Sequence, residues 1–192
     1  MMYMKRFTGF LAVLACVVLL PAAASAESNS SRLNKERLEV GRALIEVTYN
    51  DVASIIPYYS DDIEYHDAIV DVYGIGNMTT FLFTLFGSTP DLITTVEDEI
   101  SVDGMYTATW TMVGTFAGVP YEAKGMSIVK FRDKSTLVYY QRDYYTEGDI
   151  MINIAGLDQA ACGFRYFYRA AVNPTQPPDP QCASLYPQSG VN

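Results

Sequence analysis

Apolar residues recur along this chain with two different periods, and the order of those periods sets the class of fold. Leu33, Val40, Ala43, Leu44 and Val47 fall near one side of a helix, after residues 27–31 as a short disordered lead in which Ser30 or Ser31 can serve as N-cap. Asn50-Asp51 ends that helix, and Val52 to Tyr59 gives a second, short one that Pro57 does not let continue. Asp61, Asp62 and Glu64 read as an acidic turn entering a strand at Tyr65-His66. Ile75, Met78, Phe81, Leu82, Leu85 and Phe86 predict a third helix over Gly74 to Phe86, stopped by Gly87-Ser88-Thr89-Pro90. From there the alternation becomes two-fold. Leu92–Val102, Tyr106–Phe116, Tyr121–Phe131 and Thr136–Tyr145 read as strands, separated by Asp103-Gly104, by Ala117-Gly118-Val119-Pro120 and by Arg132-Asp133-Lys134-Ser135. A short apolar helix at Asp149–Ala155 and a longer one at Asp158–Val172 close the pattern. Helices first, an antiparallel meander later and no alternating strand-helix units predict a single α+β domain over residues 27–172.

The N-terminus bears on the compartment. Lys5 and Arg6 precede an apolar run from Phe7 to Leu20, then Pro21 and Ala24-Ser25-Ala26, which is the layout of a secretory signal cleaved after Ala26. The mature protein is then expected to be secreted or periplasmic. A lipoprotein signal using Cys16 is the competing reading, although the apolar run continues past Cys16; an uncleaved anchor is another, although the run is shorter than the ~20 residues a bilayer needs. The formal net charge is −9, and loss of Lys5 and Arg6 would make the remainder more acidic. That balance argues against nucleic acid as a partner and, after signal cleavage, against a membrane, because anionic surfaces are bound through Lys and Arg. Solubility is explanation enough for it.

Cleavage would leave Cys162 and Cys182 in a compartment where disulfides persist, and a Cys162–Cys182 bridge is the simplest accounting. Two free thiols or an intermolecular bridge are the alternatives. The bridge would tether a tail, residues 173–192, whose Pro174, Pro177, Pro178, Pro180 and Pro187 exclude regular helix and central strand. A single His and no close Cys pair speak against a metal site. No phosphate-binding glycine loop, nucleophile elbow or dinucleotide fingerprint is present, so no cofactor is expected.

Candidate chemistry centres on the last strand. Side chains alternate across a strand, so Tyr139, Gln141, Asp143 and Tyr145 share one face there, and Tyr106, Ala108, Trp110 and Met112 share the apolar face of a neighbour. A lone carboxylate among aromatic residues suggests a pocket with an acid in it, where an apolar surround raises the carboxyl pKa and lets it move protons. The expectation is that Asp143 projects into a cavity walled by Trp110, Met112, Tyr139 and Tyr145, with Gln141 offering an amide. The bland alternative pairs Asp143 with Arg142 or Lys124 at the surface. His66 titrates in the neutral range when unperturbed and is the candidate partner of Asp143 as an acid/base pair, or else a structural or exposed residue. Tyr65 can hold a substrate carbonyl; Tyr58 and Tyr59 read as ordinary packing with the hydroxyl in water.

The order of elements and several local words resemble the SnoaL-like family, whose fold is the cone-shaped α+β barrel first known from nuclear transport factor 2. The words are Tyr58-Tyr59-Ser60-Asp61-Asp62-Ile63-Glu64-Tyr65-His66-Asp67, Val102-Asp103-Gly104 with Tyr106-Thr107-Ala108-Thr109-Trp110, Gly125-Met126-Ser127-Ile128-Val129-Lys130-Phe131, and Gln141-Arg142-Asp143-Tyr144-Tyr145, and the likeness runs over about residues 34–157. It implies a cone-shaped curved antiparallel sheet with the N-terminal helices packed over it. In the polyketide cyclases of this family an acid at the end of the last long strand gives and takes the proton, and Asp143 falls on it. Those cyclases carry a His two residues earlier, where this chain has Gln141, and an acid often follows the paired tyrosines, where this chain has Thr146. The resemblance also implies a homodimer through the outer face of the sheet, with Tyr140, Tyr144, Val129 and Phe131 as candidates. Two functions are therefore expected: an exported, cofactor-independent isomerase, cyclase or dehydratase acting on a small hydrophobic carbonyl compound, or a non-catalytic module of the same shape that binds a small hydrophobic molecule or a protein.

Overall fold

A computed structural model of the chain describes residues 20–116, 118–172, 179–182 and 185, with side chains described at 29–116, 118–167, 179–182 and 185. The helices are α1 (Leu20–Ile45), α2 (Val52–Ile55), α3 (Ile75–Ser88), α4 (Glu147–Met151) and α5 (Asp158–Val172). The strands are β1 (Tyr59–His66), β2 (Asp71–Tyr73), β3 (Ile93–Val102), β4 (Met105–Phe116), β5 (Val119–Phe131) and β6 (Val138–Tyr145), in one six-stranded sheet ordered β2-β1-β6-β5-β4-β3. The expected α+β class and the four long strands are therefore present.

Apart from Asp61, Asp62 and Glu64, which lie within β1 and not in a turn before it, three elements differ from the sequence reading. Residues 27–31 continue α1 instead of leading into it, so neither Ser30 nor Ser31 is a cap. The preceding Ala22, Ala23, Ala24 and Ala26 are strong helix formers, and extending a helix costs less than nucleating one. The bond after Ala26 lies within α1; most of the apolar run before it, and most of the Pro-rich tail, lie outside the described residues. Secondly, β2 is a short edge strand that no alternation announced. Thirdly, β1 pairs with β6 in parallel, Tyr65 opposite Gln141, while every other pair is antiparallel.

The sheet curves because its ladders slip. The register shifts between Val96 and Asp98 on β3, and between Lys130 and Phe131 on β5, where Tyr139 of β6 is the extra residue. Such bulges bend the strand and increase local twist. At the first, the freed Val96 amide donates at 3.0 Å to Oε1 of Glu46, the residue that follows α1, so the end of that helix is keyed to the bend. Gly41 allows the close approach of that helix: a Cβ there would lie 2.4 Å from the Tyr106 ring on β4.

Val40, Leu44 and Ile45 of α1, Met78, Leu82 and Phe86 of α3 and the concave face of the sheet enclose the main core. Val129 and Phe131, taken above as outer-face candidates, belong to it at 0 % and 4 % exposure, because the two-fold alternation of β5 turns them inward with Ser127. Tyr144 and Met126 are the ones exposed outside. A second, smaller cluster of Ile152, Ala161, Cys162 and Cys182 surrounds the Cys162–Cys182 disulfide, which joins α5 to the turn at Pro180–Cys182.

Candidate active site

The concave face of the sheet and the helices above it leave a cavity of about 440 Å³, and the sequence-expected residues Tyr65, Trp110, Met112, Gln141, Asp143 and Tyr145 all line it. Phe81 and Leu85 of α3, Leu44 of α1 and Ile150 of α4 close the apolar wall. Such a size suits a small organic molecule.

Local geometry explains how the polar end is assembled. Trp110 stands opposite Gly125, where a Cβ would come within 2.4 Å of the indole, so the ring lies across the glycine. In that position Trp110 Nε1 donates to Ser127 Oγ at 2.8 Å, and Ser127 Oγ donates to Asp143 Oδ1 at 2.6 Å. On the other side the Tyr65 hydroxyl lies 3.0 Å from Asp143 Oδ2, and Gln141 Nε2 lies 3.3 Å from both carboxyl oxygens. Gln141 Oε1 accepts from the Tyr59 hydroxyl at 2.9 Å, which fixes which end of the amide faces the acid. Asp143 thus sits among neutral donors. Arg142 points the other way, over the Tyr144 ring, and among the described residues Asp143 forms no ion pair. The surface-pair alternative is not what the fold builds.

Burial pushes the Asp143 carboxyl above its ordinary range; the hydrogen bonds from Ser127, Gln141 and Tyr65 oppose that, and the nearby charge of Asp67 adds to it. Burial also raises the phenols of Tyr59 and Tyr65, with the Asp143 charge contributing to both. A carboxyl held between these influences can serve as acid or as base, and among the described residues no Lys, Arg or His lines the cavity to pin it as an anion.

Two sequence candidates are elsewhere. Tyr139 is the bulged residue of β6; it leaves the inner face and lies under Arg132, whose guanidinium is 4.7 Å from the ring centroid. His66 follows the inward-facing Tyr65 on β1, and alternation therefore turns it outward, where Nδ1 meets Asp71 Oδ1 at 2.5 Å and the ring contacts Tyr73 and Tyr140. It does not line the cavity, and the expected pairing with Asp143 is not formed. Tyr59, read as packing with a wet hydroxyl, instead places that hydroxyl in the buried network. Ser127 and Asp67 were not foreseen. A serine sharing the inward face of β5 with Val129 and Phe131 was the available signal for the first; Asp67 lies in the β1–β2 turn, for which the pattern gave none.

The sequence profile of the SnoaL-like domain matches residues 42–138, and the chain belongs to that family. None of the curated proteins matches it. Among solved structures it is similar to a phenazine biosynthesis-related protein from Pseudomonas aeruginosa (TM-score 0.59, 10 % identity, 67 % of this chain and 91 % of that one). It is also similar to an LEH-like epoxide hydrolase from M. tuberculosis (0.54, 14 %, 72 % and 96 %) and to a proposed SnoaL-like polyketide cyclase from Jannaschia sp. CCS1 (0.53, 16 %, 64 % and 93 %). At these identities the likeness is one of fold. Proteins of this fold include cyclases, isomerases and epoxide hydrolases.

Proposed function

We propose that the protein is an exported, cofactor-independent acid/base enzyme that isomerises, cyclises or dehydrates a small hydrophobic carbonyl compound, with Asp143 taking and returning the proton. The observation that carries this is a carboxyl group at the polar end of an otherwise apolar cavity, hydrogen-bonded only to neutral donors. Tyr65 is the donor best placed to hold a substrate oxygen or an enolate beside it. A homodimer through the outer face of the sheet, near Tyr144 and Met126, is compatible with this reading.

The sequence holds one Trp, and it lines the cavity, so quenching of Trp110 fluorescence measures binding directly. A panel of cyclic and aromatic ketones is screened that way, and those that bind are followed in deuterated water by NMR. Wild type is expected to exchange protons α to the carbonyl, and Asp143→Asn to bind the same compounds without exchange. Compounds that bind both proteins alike and exchange with neither would leave the second reading, a non-catalytic small-molecule module, which the apolar lining and the outward His66 favour.

A further inference from the structure

Tyr65 touches two carboxyl groups, not one. Its hydroxyl lies 3.0 Å from Asp143 Oδ2 and 3.3 Å from Asp67 Oδ2. A phenol carries a single proton and an ionised carboxylate none, so both contacts are hydrogen bonds only when one of the two carboxyls is protonated. The surroundings decide which. Asp67 Oδ1 accepts the backbone amides of Ile69 at 2.6 Å and Val70 at 2.7 Å, which leaves Oδ2 to accept the phenol's proton. Asp143 stands at the closed end of the cavity beside Trp110 and Ser127, where burial favours its neutral acid, and its Oδ2 faces the phenol. The arrangement that satisfies every contact is Asp143 Oδ2–H to Tyr65 Oη and Tyr65 O–H to Asp67 Oδ2.

We propose that Asp67 is the outer end of a relay, Asp143–Tyr65–Asp67, that carries protons between the cavity acid and the solvent; the proposal rests on Asp143 being the proton-transferring group. A proton collected by Asp143 passes to the Tyr65 oxygen as Tyr65 hands its own to Asp67. One O–H bond breaks and one forms at each step, leaving Asp143 as carboxylate, Tyr65 as phenol and Asp67 as acid. Asp67 sits beside Ile69 and Val70, which are 69 % and 36 % exposed on the rim of the same cavity, so it can release that proton to water while a ligand fills the interior. Asp67 is thus a positioning and relay residue that acts through Tyr65.

The groups facing Asp143 are Tyr59 and Tyr65 from β1, Asp67 from the β1–β2 turn, Ser127 from β5 and Gln141 from β6; Tyr145 of β6 lies further along the wall, where Tyr121 and Glu147 also act on it. Asp67 is the charged member of the set that bears on Asp143. Removing its charge therefore has a definite sign: Asp143 holds its proton less tightly. Removing the Tyr65 hydroxyl has the opposite sign, because the ionised carboxylate loses a donor.

The chain reports on this without any ligand. Trp110 supplies the one indole N–H resonance of the protein, and it is linked through Ser127 to Asp143 Oδ1, so its chemical shift follows the ionisation of Asp143. That resonance is titrated by ¹⁵N–¹H NMR in wild type and three variants. Asp67→Asn keeps a carbonyl oxygen for the Ile69 and Val70 amides, and Tyr65→Phe keeps the ring against Phe81, 5.0 Å between centroids. Expected are a midpoint about tenfold lower in proton affinity for Asp67→Asn, a higher one for Tyr65→Phe, and no titration for Asp143→Asn. An unmoved midpoint in either of the first two variants, or a titration that survives Asp143→Asn, overturns the relay. Because no ligand is involved, the result is independent of the deuterium-exchange test, which judges the reaction itself.

Discussion

Asp143 is pulled in two directions, and the balance has a consequence for stability. Enclosure favours the neutral acid and the donors favour the anion; the net direction is up from 3.8. The folded chain then holds this proton more tightly than the unfolded chain, so the stability it contributes is present in acid and is lost as pH rises from 3.8 through the raised folded value. Each tenfold in proton affinity corresponds to about 1.4 kcal/mol. Asp143→Asn, which cannot ionise, is expected to gain on wild type between acid and neutral pH when urea midpoints are compared; a difference that stays constant with pH would contradict the assignment. The same residue was legible in the sequence because alternation along β6 placed it with Gln141 and Tyr145, and that parity held. Alternation also contained the answer for His66, since Tyr65 and His66 are neighbours on one strand and only one can face inward. Tyr139 was not legible: an extra residue in a ladder shows only once the partner strand is known.

At the scale of elements, single contacts decide how helix and strand meet. Arg37 of α1 is 6 % exposed, and it donates to the carbonyls of Ser135 at 2.9 Å and Arg132 at 2.8 Å while its guanidinium stands 5.5 Å from the Phe131 ring centroid. It fastens α1 to the β5–β6 turn, adding two charge-assisted bonds to a turn closed by the Arg132 amide on the Leu137 carbonyl at 2.7 Å. Truncation by Arg37→Ala removes two charge-assisted bonds and is expected to cost about 3 kcal/mol in chemical denaturation; a loss within error would show that the turn needs no such clamp. Gly125→Ala tests the other close approach. Its added Cβ meets both the Trp110 ring and the Tyr144 carbonyl oxygen at 2.4 Å, so a loss of about 2 kcal/mol and a shifted Trp110 emission are expected. Local chemistry made the β3–β4 hairpin readable, since Asp103 and Gly104 adopt φ of 49° and 78°, the conformation that a two-residue turn requires. The parallel pairing of β1 with β6 joins segments far apart in sequence, and no local pattern encodes it.

Over the whole molecule, the cone and the C-terminal segment form separate apolar clusters, and α4 stands between them. Ile150 of α4 lines the cavity, while its neighbour Asp149 pairs with Arg165 of α5, which also meets Asp179 at 3.2 Å. The Cys162–Cys182 bridge closes a loop of sequence separation 20 that contains Arg165 and Asp179, while Asp149 reaches it from α4. Closing a loop of this length stabilises the unit it encloses by about 3 kcal/mol in the chain-entropy account. The sheet draws its stability from the other cluster, so Cys162→Ser is expected to raise hydrogen exchange in α4 and α5 and to leave the amides of β4 and β5 protected. Ligand affinity measured through Trp110 should fall modestly, because the wall formed by Ile150 loosens while the Asp143 end stays intact. Faster exchange throughout the sheet would instead mean that the two clusters unfold as one, and unchanged exchange in α4 would mean that Arg165 alone keeps the cavity closed on that side.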